Sequence, residues 1–301
     1  MRPPISDRCR GFTLVELIMV IVIVGIIAGA VVLLVRRPLD IYVSVAGRAE
    51  LGDAADSALR LIARDLRSAL PNSVRVTTIN GVALLEFIPT VGGGRYLDAG
   101  AAGGTPLSFQ DPASTMFTAL TVDPVATAIA VNDYIVVSNY GAGFNFADAY
   151  RVGNAAGTEN GNRAIVRQIN GADVTIDDDA DGAALPNVNV FARSPVPISS
   201  PTLRFAIARQ PVTYRCVPAA AGTAGQLTRL TNYGFKPAQV DPDGLGSSSL
   251  VAQHIRSCTF SAVVTAFRNS SLVTLQVTLE KPGPNPEQVS LFRQVHMDNT
   301  P

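Results

Sequence analysis

Between Leu17 and Val35 the chain runs nineteen residues without a charge, and this run decides what the remainder can be. As a helix rising about 1.5 Å per residue it spans roughly 28 Å, close to the ~30 Å hydrocarbon core of a bilayer. Isoleucine and valine dominate it. They are mediocre helix formers in water but suit lipid, where the backbone must satisfy its own hydrogen bonds. A cleaved secretory signal is the competing reading, with Arg2, Arg8 and Arg10 as its basic region and Ala28-Gly29-Ala30 as its small-residue site. The apolar run continues past Ala30, which favours a retained anchor. Arg36 and Arg37 nearly balance the leader arginines, so charge alone leaves the orientation open.

Glu16 interrupts the apolar pattern close to its start. A carboxylate in lipid costs a few kcal/mol at the bilayer centre and less near the edge. It either snorkels to the headgroups or meets a cation. Cleavage after Gly11 would create such a cation, the α-amino group of Phe12, which is protonated near neutral pH. Within one helix that pairing is awkward, whereas a neighbouring subunit could supply the amine.

The contiguous Gly11-Phe12-Thr13-Leu14-Val15-Glu16, with its basic leader and apolar helix, resembles the class III signal of type IV prepilins and type II secretion pseudopilins. The resemblance implies cleavage after Gly11 by prepilin peptidase on the cytoplasmic side and N-methylation of Phe12. It also implies that Glu16 assists assembly by pairing with the terminal amine of a neighbouring subunit. The expected organisation is a basic leader (1–11), a transmembrane and assembly helix (12–37), its amphipathic continuation (38–70) and a β-rich periplasmic head (71–301). The expected location is the bacterial inner membrane, with a single pass, and the pilus after assembly.

Pro38 is expected to bend or interrupt the helix, because it removes a backbone donor and crowds the preceding turn. Beyond it Leu51, Ala55, Leu59, Ile62, Leu66 and Leu70 recur at steps of three and four, marking one apolar face up to Pro71. From Asn72 the period becomes alternating. Residues 74–79 and 82–88 flank Asn80-Gly81 as a hairpin with a type I′ turn. A second hairpin is expected at 163–168 and 173–176 around Asn170-Gly171. Further strands are expected at 134–138, 187–191, 203–208, 212–216, 226–230, 258–267, 272–279 and 289–296. Few helices intervene, so the sheets should be antiparallel. The expected fold class is α+β, a long N-terminal helix packed on a mainly antiparallel β head of two sheets. Residues 92–106 and 139–162 receive no assignment.

Chemistry finds little to stand on. Net charge is zero and tryptophan is absent, so neither electrostatics nor stacking favours nucleic acid. Gly92-Gly93-Gly94 lacks the Lys-Ser/Thr ending of a phosphate loop. His254 and His296 are the only histidines and have no zinc-ligand spacing. There is no nucleophile elbow, and the chain is read as a non-enzyme. Asp177, Asp179 and Asp181, followed by Gly182, match the first half of a calcium loop, but Val188 stands where the bidentate glutamate belongs. A calcium ion held by that loop is the minority reading against a solvated acidic turn. Asp241-Pro242-Asp243-Gly244 is a weaker echo, and no other cofactor is expected. A cut after Gly11 removes Cys9 and leaves Cys216 and Cys258, either as two buried thiols or as a disulfide closing about forty residues.

Within the family, the chain resembles the large minor subunits, most of all the MshO-type minor pilin of mannose-sensitive haemagglutinin (MSHA) pili. The residues that carry this are Arg48-Ala49-Glu50-Leu51, Arg64-Asp65-Leu66-Arg67, residues 70–75, Pro211 to Cys216, Leu227-Thr228-Arg229 and Gln294 to Met297. The implied partners are other minor and major pilins, prepilin peptidase, which is also the methyltransferase, the inner-membrane assembly platform and membrane lipid. The implied function is to initiate or cap pilus assembly. Alternatives are a large minor pseudopilin of a type II secretion system and an adhesive pilus-tip head.

Overall fold

The computed structural model describes residues 12–122, 129–142, 144, 146–151, 161–178, 187–192, 198–220, 223–264, 270–281 and 286–298. One helix, α1, runs from Leu14 to Arg67. It passes through Pro38 without interruption, so the loss of one backbone donor does not end it. The chain divides into two compact units, residues 1–50 and 51–301. In the first, Leu14–Leu34 is long and apolar enough to cross a membrane, and none of it is buried within the protein.

In the second unit the α1 stripe is covered. Leu51, Ala55, Leu59, Ile62 and Leu66 are all buried, at the spacing that one helix face requires. The helix stops at Arg67, three residues short of the expected end. Its last turn tightens, with Ser68 N and Ala69 N donating to the carbonyls of Asp65 and Leu66 at 3.1 and 3.0 Å. Leu70 N then donates to Ile88 O at 2.7 Å and Ala69 bridges Pro89, so the chain has already left the helix at these residues.

Two antiparallel sheets lie in the same core as that stripe. The first, ordered β1-β2-β9-β10-β11, comprises Arg75–Ile79, Val82–Phe87, Val212–Val217, Gln226–Thr231 and Ser247–Gln253. The second comprises β12 (Ile255–Val264), β13 (Ser270–Lys281) and β14 (Glu287–Asp298). Their shared core includes Ile62, Phe87, Tyr214, Leu227, Phe260 and Leu275. Asn80 and Gly81 take φ of 50° and 81° between β1 and β2, the left-handed pair of a type I′ turn. Between β11 and β12 the chain changes sheet at His254, which is itself at φ 60°.

The third sheet is a closed barrel in the order β3-β4-β7-β6-β5-β8. Its strands are β3 (Thr90–Tyr96), β4 (Met116–Val122), β5 (Tyr134–Val136), β6 (Arg163–Asn170), β7 (Asp173–Asp177) and β8 (Arg204–Ala208). Phe117, Ile135, Val166, Ile176, Phe205 and Ile207 fill it. All six strands come from residues 90–208, between β2 and β9, which are paired neighbours from Ala83↔Cys216 to Phe87↔Val212. The barrel is therefore an insertion at the closed end of a hairpin. Its entry and exit meet where Thr90 pairs with Ala208 and Arg209 N donates to Pro89 O at 3.0 Å.

Several expectations are corrected. Among the described residues the head has three sheets, not two. The triglycine lies in β3 instead of a loop: a Cβ on Gly93 would come within 3.0 Å of Phe205 O, so glycine permits the close approach of β8. Residues 187–191 form no strand; a single 3-10 turn covers Val190–Ala192. In the second hairpin the loop is Gly171-Ala172, one residue later than expected, since Asn170 pairs with Asp173 and Gly171 takes φ 62°. That places glycine first in the loop, as a type II′ turn requires. Strands β4 and β11 had no counterpart in the expectations.

Candidate processing and assembly site

Thr13 is where the chain enters α1. Its carbonyl accepts from Glu16 N and Leu17 N, both at 3.1 Å, and its Oγ1 accepts from Glu16 N at 3.3 Å. Thr13 is thus the N-cap and Glu16 the third helical residue, the Thr-x-x-Glu spacing of a capping box. A carboxylate in the first turn also faces the positive end of the helix dipole. This local support offsets part of the cost of placing Glu16 beside lipid. The cap is legible in Thr13 and Glu16 alone, from their Thr-x-x-Glu spacing.

Phe12 and Glu16 are both exposed, Phe12 at 82%. Neither is covered by the protein, so both remain available to lipid or to another chain. Gly11, the residue before the expected cut, lies outside the described residues.

Cys216 on β9 and Cys258 on β12 are joined by a disulfide, with Cα atoms 6.3 Å apart. It ties the five-stranded sheet to the three-stranded sheet across 42 positions of sequence. Asp65, near the end of α1, docks on the same layer. Its Oδ2 accepts from Tyr214 Oη at 2.8 Å and from Arg229 Nε at 2.9 Å. Burial first, and then the Asp65 charge, push the Tyr214 hydroxyl's pKa well up. A second buried network centres on Glu86, which pairs with Arg75 and accepts from Tyr233 Oη at 2.8 Å. Tyr233 is likewise raised, by burial and then by Glu86. The disulfide is one of the two states expected of this cysteine pair, whereas the Asp65 and Tyr233 contacts were not anticipated, because their partners lie 147 to 164 positions apart in sequence.

Asp177 is buried, and its carboxylate is already engaged. Oδ2 accepts from Arg167 Nε at 3.0 Å, while Oδ1 accepts from the backbone of Asp178 and of Val188, each at 2.9 Å. A cation at Asp177 would have to displace that guanidinium. Asp179 and Asp181 lie outside the described residues. Asp241 and Asp243 clamp Arg215 instead, at 2.8 and 3.0 Å. Among the described residues no group of three His, Cys, Asp or Glu could hold a metal.

Comparison with known proteins bears on the N-terminus only. Residues 6–32 match the prokaryotic N-terminal methylation motif, a type IV pilin-like signal that spans the expected cut, Phe12, Glu16 and most of the apolar helix. No curated protein and no solved structure matches the chain. The motif implies processing by prepilin peptidase and assembly with other pilins, and its family is structural, not enzymatic.

Proposed function

We propose that this chain is a minor pilin of an MSHA-type type IV pilus. It is cut after Gly11, methylated on Phe12, and helps to initiate or cap assembly from the inner membrane. The observation that carries the reading is the N-terminal coincidence: the methylation motif spans an exposed Phe12 and an exposed Glu16 one turn into a capped helix. Bulk supports a minor role, since a barrel-bearing head is costly to repeat along a shaft. The disulfide supports a periplasmic head, since oxidising compartments favour such bonds. Partners are the other pilins, the peptidase, the assembly platform and lipid.

Glu16→Ala tests the assembly role. The variant should be cut and methylated as before, by mass spectrometry of the mature N-terminus, while its recovery in sheared pili falls about tenfold, a loss of roughly 1.4 kcal/mol of pairing. Unchanged recovery removes the proposed charge pairing. A type II secretion pseudopilin shares this chemistry; gene neighbourhood separates the two, through either a pilus ATPase or an outer-membrane secretion channel. An adhesive head predicts normal pilus number and lost attachment when exposed residues 99–103 are removed.

A further inference from the structure

The barrel contains one cross-strand pairing that works against its own stability. In the register of β3 with β8, Arg95 stands directly opposite Arg204. Such partners project from the same face of a sheet, with Cβ atoms about 4.5–5.5 Å apart. Their neighbours Tyr96 and Phe205 are buried in the barrel interior, so the two arginines point outward, and both are exposed. Like charges placed directly opposite destabilise a sheet.

Other arginines of the head meet carboxylates: Arg75 holds Glu86, Arg167 holds Asp177 and Arg229 holds Asp65. Neither Arg95 nor Arg204 has a carboxylate within ion-pair distance among the described residues. Asp98, the acid nearest to Arg95 along the chain, turns its Oδ1 to the backbone N–H of Ala99 at 2.8 Å. The next pair on the same outer face, Gly93 with Ala206, offers only a hydrogen and a methyl group. Nothing on that side of the guanidinium pair can neutralise it.

Two guanidinium forks set side by side are complementary to an anion that can accept from both. A carboxylate has two oxygens, and a single fork occupies them. A phosphate monoester carries close to two negative charges near neutral pH and has three terminal oxygens, so it matches the pair in charge and in acceptors.

We propose that Arg95 and Arg204 form a surface site for a phosphate monoester, which bridges β3 and β8. Occupancy converts the repulsive rung into a closed one, so the ligand also tightens the ladder on which it sits.

The test uses the full chain in phosphatidylcholine nanodiscs, read by the arginine Nε–H and backbone amide resonances. Methyl phosphate and the singly charged diester dimethyl phosphate are titrated at low salt and about pH 8, above the second phosphate pKa. The Phe292 amide on β14 is the remote control. Methyl phosphate should shift the Arg95 and Arg204 signals saturably with a Kd of about 1 mM, and the diester should bind at least about tenfold more weakly. Arg95→Gln and Arg204→Gln should each weaken methyl phosphate about tenfold. Each should also slow amide exchange in the ligand-free β3–β8 ladder, because the repulsion is gone. Arg67→Gln, which removes the same charge from the exposed end of α1, should change neither property. Nanodiscs containing phosphatidate separate the sources of the ester. Shifts at Arg95 and Arg204 without added methyl phosphate assign the site to a lipid headgroup, and their absence assigns it to a soluble ester. The proposal is overturned by equal affinity for monoester and diester, by unchanged methyl phosphate binding in either glutamine variant, or by no saturable shift at about 20 mM.

Discussion

The two halves of the head solve the problem of a stable core differently. The layered half, β1, β2 and β9–β14, is built against α1 and cannot cover its apolar faces without that helix. It is also pinned by the Cys216–Cys258 disulfide, by Asp65 with Tyr214 and Arg229, and by Glu86 with Arg75 and Tyr233. The barrel closes on itself, so it has no edge to protect and borrows no helix for its core. Aromatic contacts hold it, Phe117 edge-on to Phe205 with centroids 5.6 Å apart and Tyr96 tilted on Phe109 at 5.7 Å. The half that receives the helix is cross-linked, while the other fills its interior from its own strands and shares only an outer-face core, with Leu70, Ile88 and Phe235, across the boundary.

The strongest way to break this contrast is to remove the barrel. Replacing residues 90–208 with Asn-Gly, between Pro89 and Arg209, should leave the layered half folded because β2 and β9 already lie side by side. Calorimetry should show the heat-capacity change of unfolding fall by about 1.5 kcal/mol/K, and amide exchange should keep β9 and β10 protected. Loss of protection there would mean that the halves form one cooperative unit.

Next comes the disulfide. Cys216→Ser with Cys258→Ser should cost about 2–4 kcal/mol, read as faster exchange in β9, β10 and β12 with β6 and β7 unchanged. Equal losses in both halves would erase the distinction.

The smallest effect sharpens the contrast through pH. Tyr214 and Tyr233 have raised pKa values in the folded chain, so their contribution is complete below the ordinary tyrosine range. It is lost as pH rises through and above about 10, where the unfolded chain releases protons that the folded one retains. Tyr96 and Tyr150 in the inserted half are raised as well, by burial first, so both halves should lose exchange protection with alkali and Tyr214 reports the layered half's share. Tyr214→Phe should cost about 1–2 kcal/mol at neutral pH and flatten that alkaline decline. An unaltered decline would place the sensitivity elsewhere.

The layered half was the more legible one. Its strands alternate apolar and polar residues, Asn80-Gly81 announces its first hairpin, and the helix stripe from Leu51 to Leu66 is periodic. Strand β11 was the exception: Ser247-Ser248-Ser249 carries no apolar period, and pairing with β10 alone makes it a strand. In the barrel, β3 was hidden because Gly92-Gly93-Gly94 has no side chains to alternate. Residues 187–191 mislead in the opposite way. They alternate like a strand, but the Asn189 side chain donates to Ser108 O and Ser114 O and accepts from Phe191 N, competing with a ladder. The processing signal was readable because Gly11 to Glu16 is contiguous. The Asp65 anchor was not, since its partners stand 149 and 164 positions away.

The insertion has a mechanical consequence. Tension applied between α1 and the C-terminal sheet reaches β9 through Cys216, which sits opposite Ala83 at the open end of the β2–β9 pair. Such a pull opens the ladder one rung at a time, from Ala83–Cys216 toward Phe87–Val212, and the barrel hangs beyond the last rung.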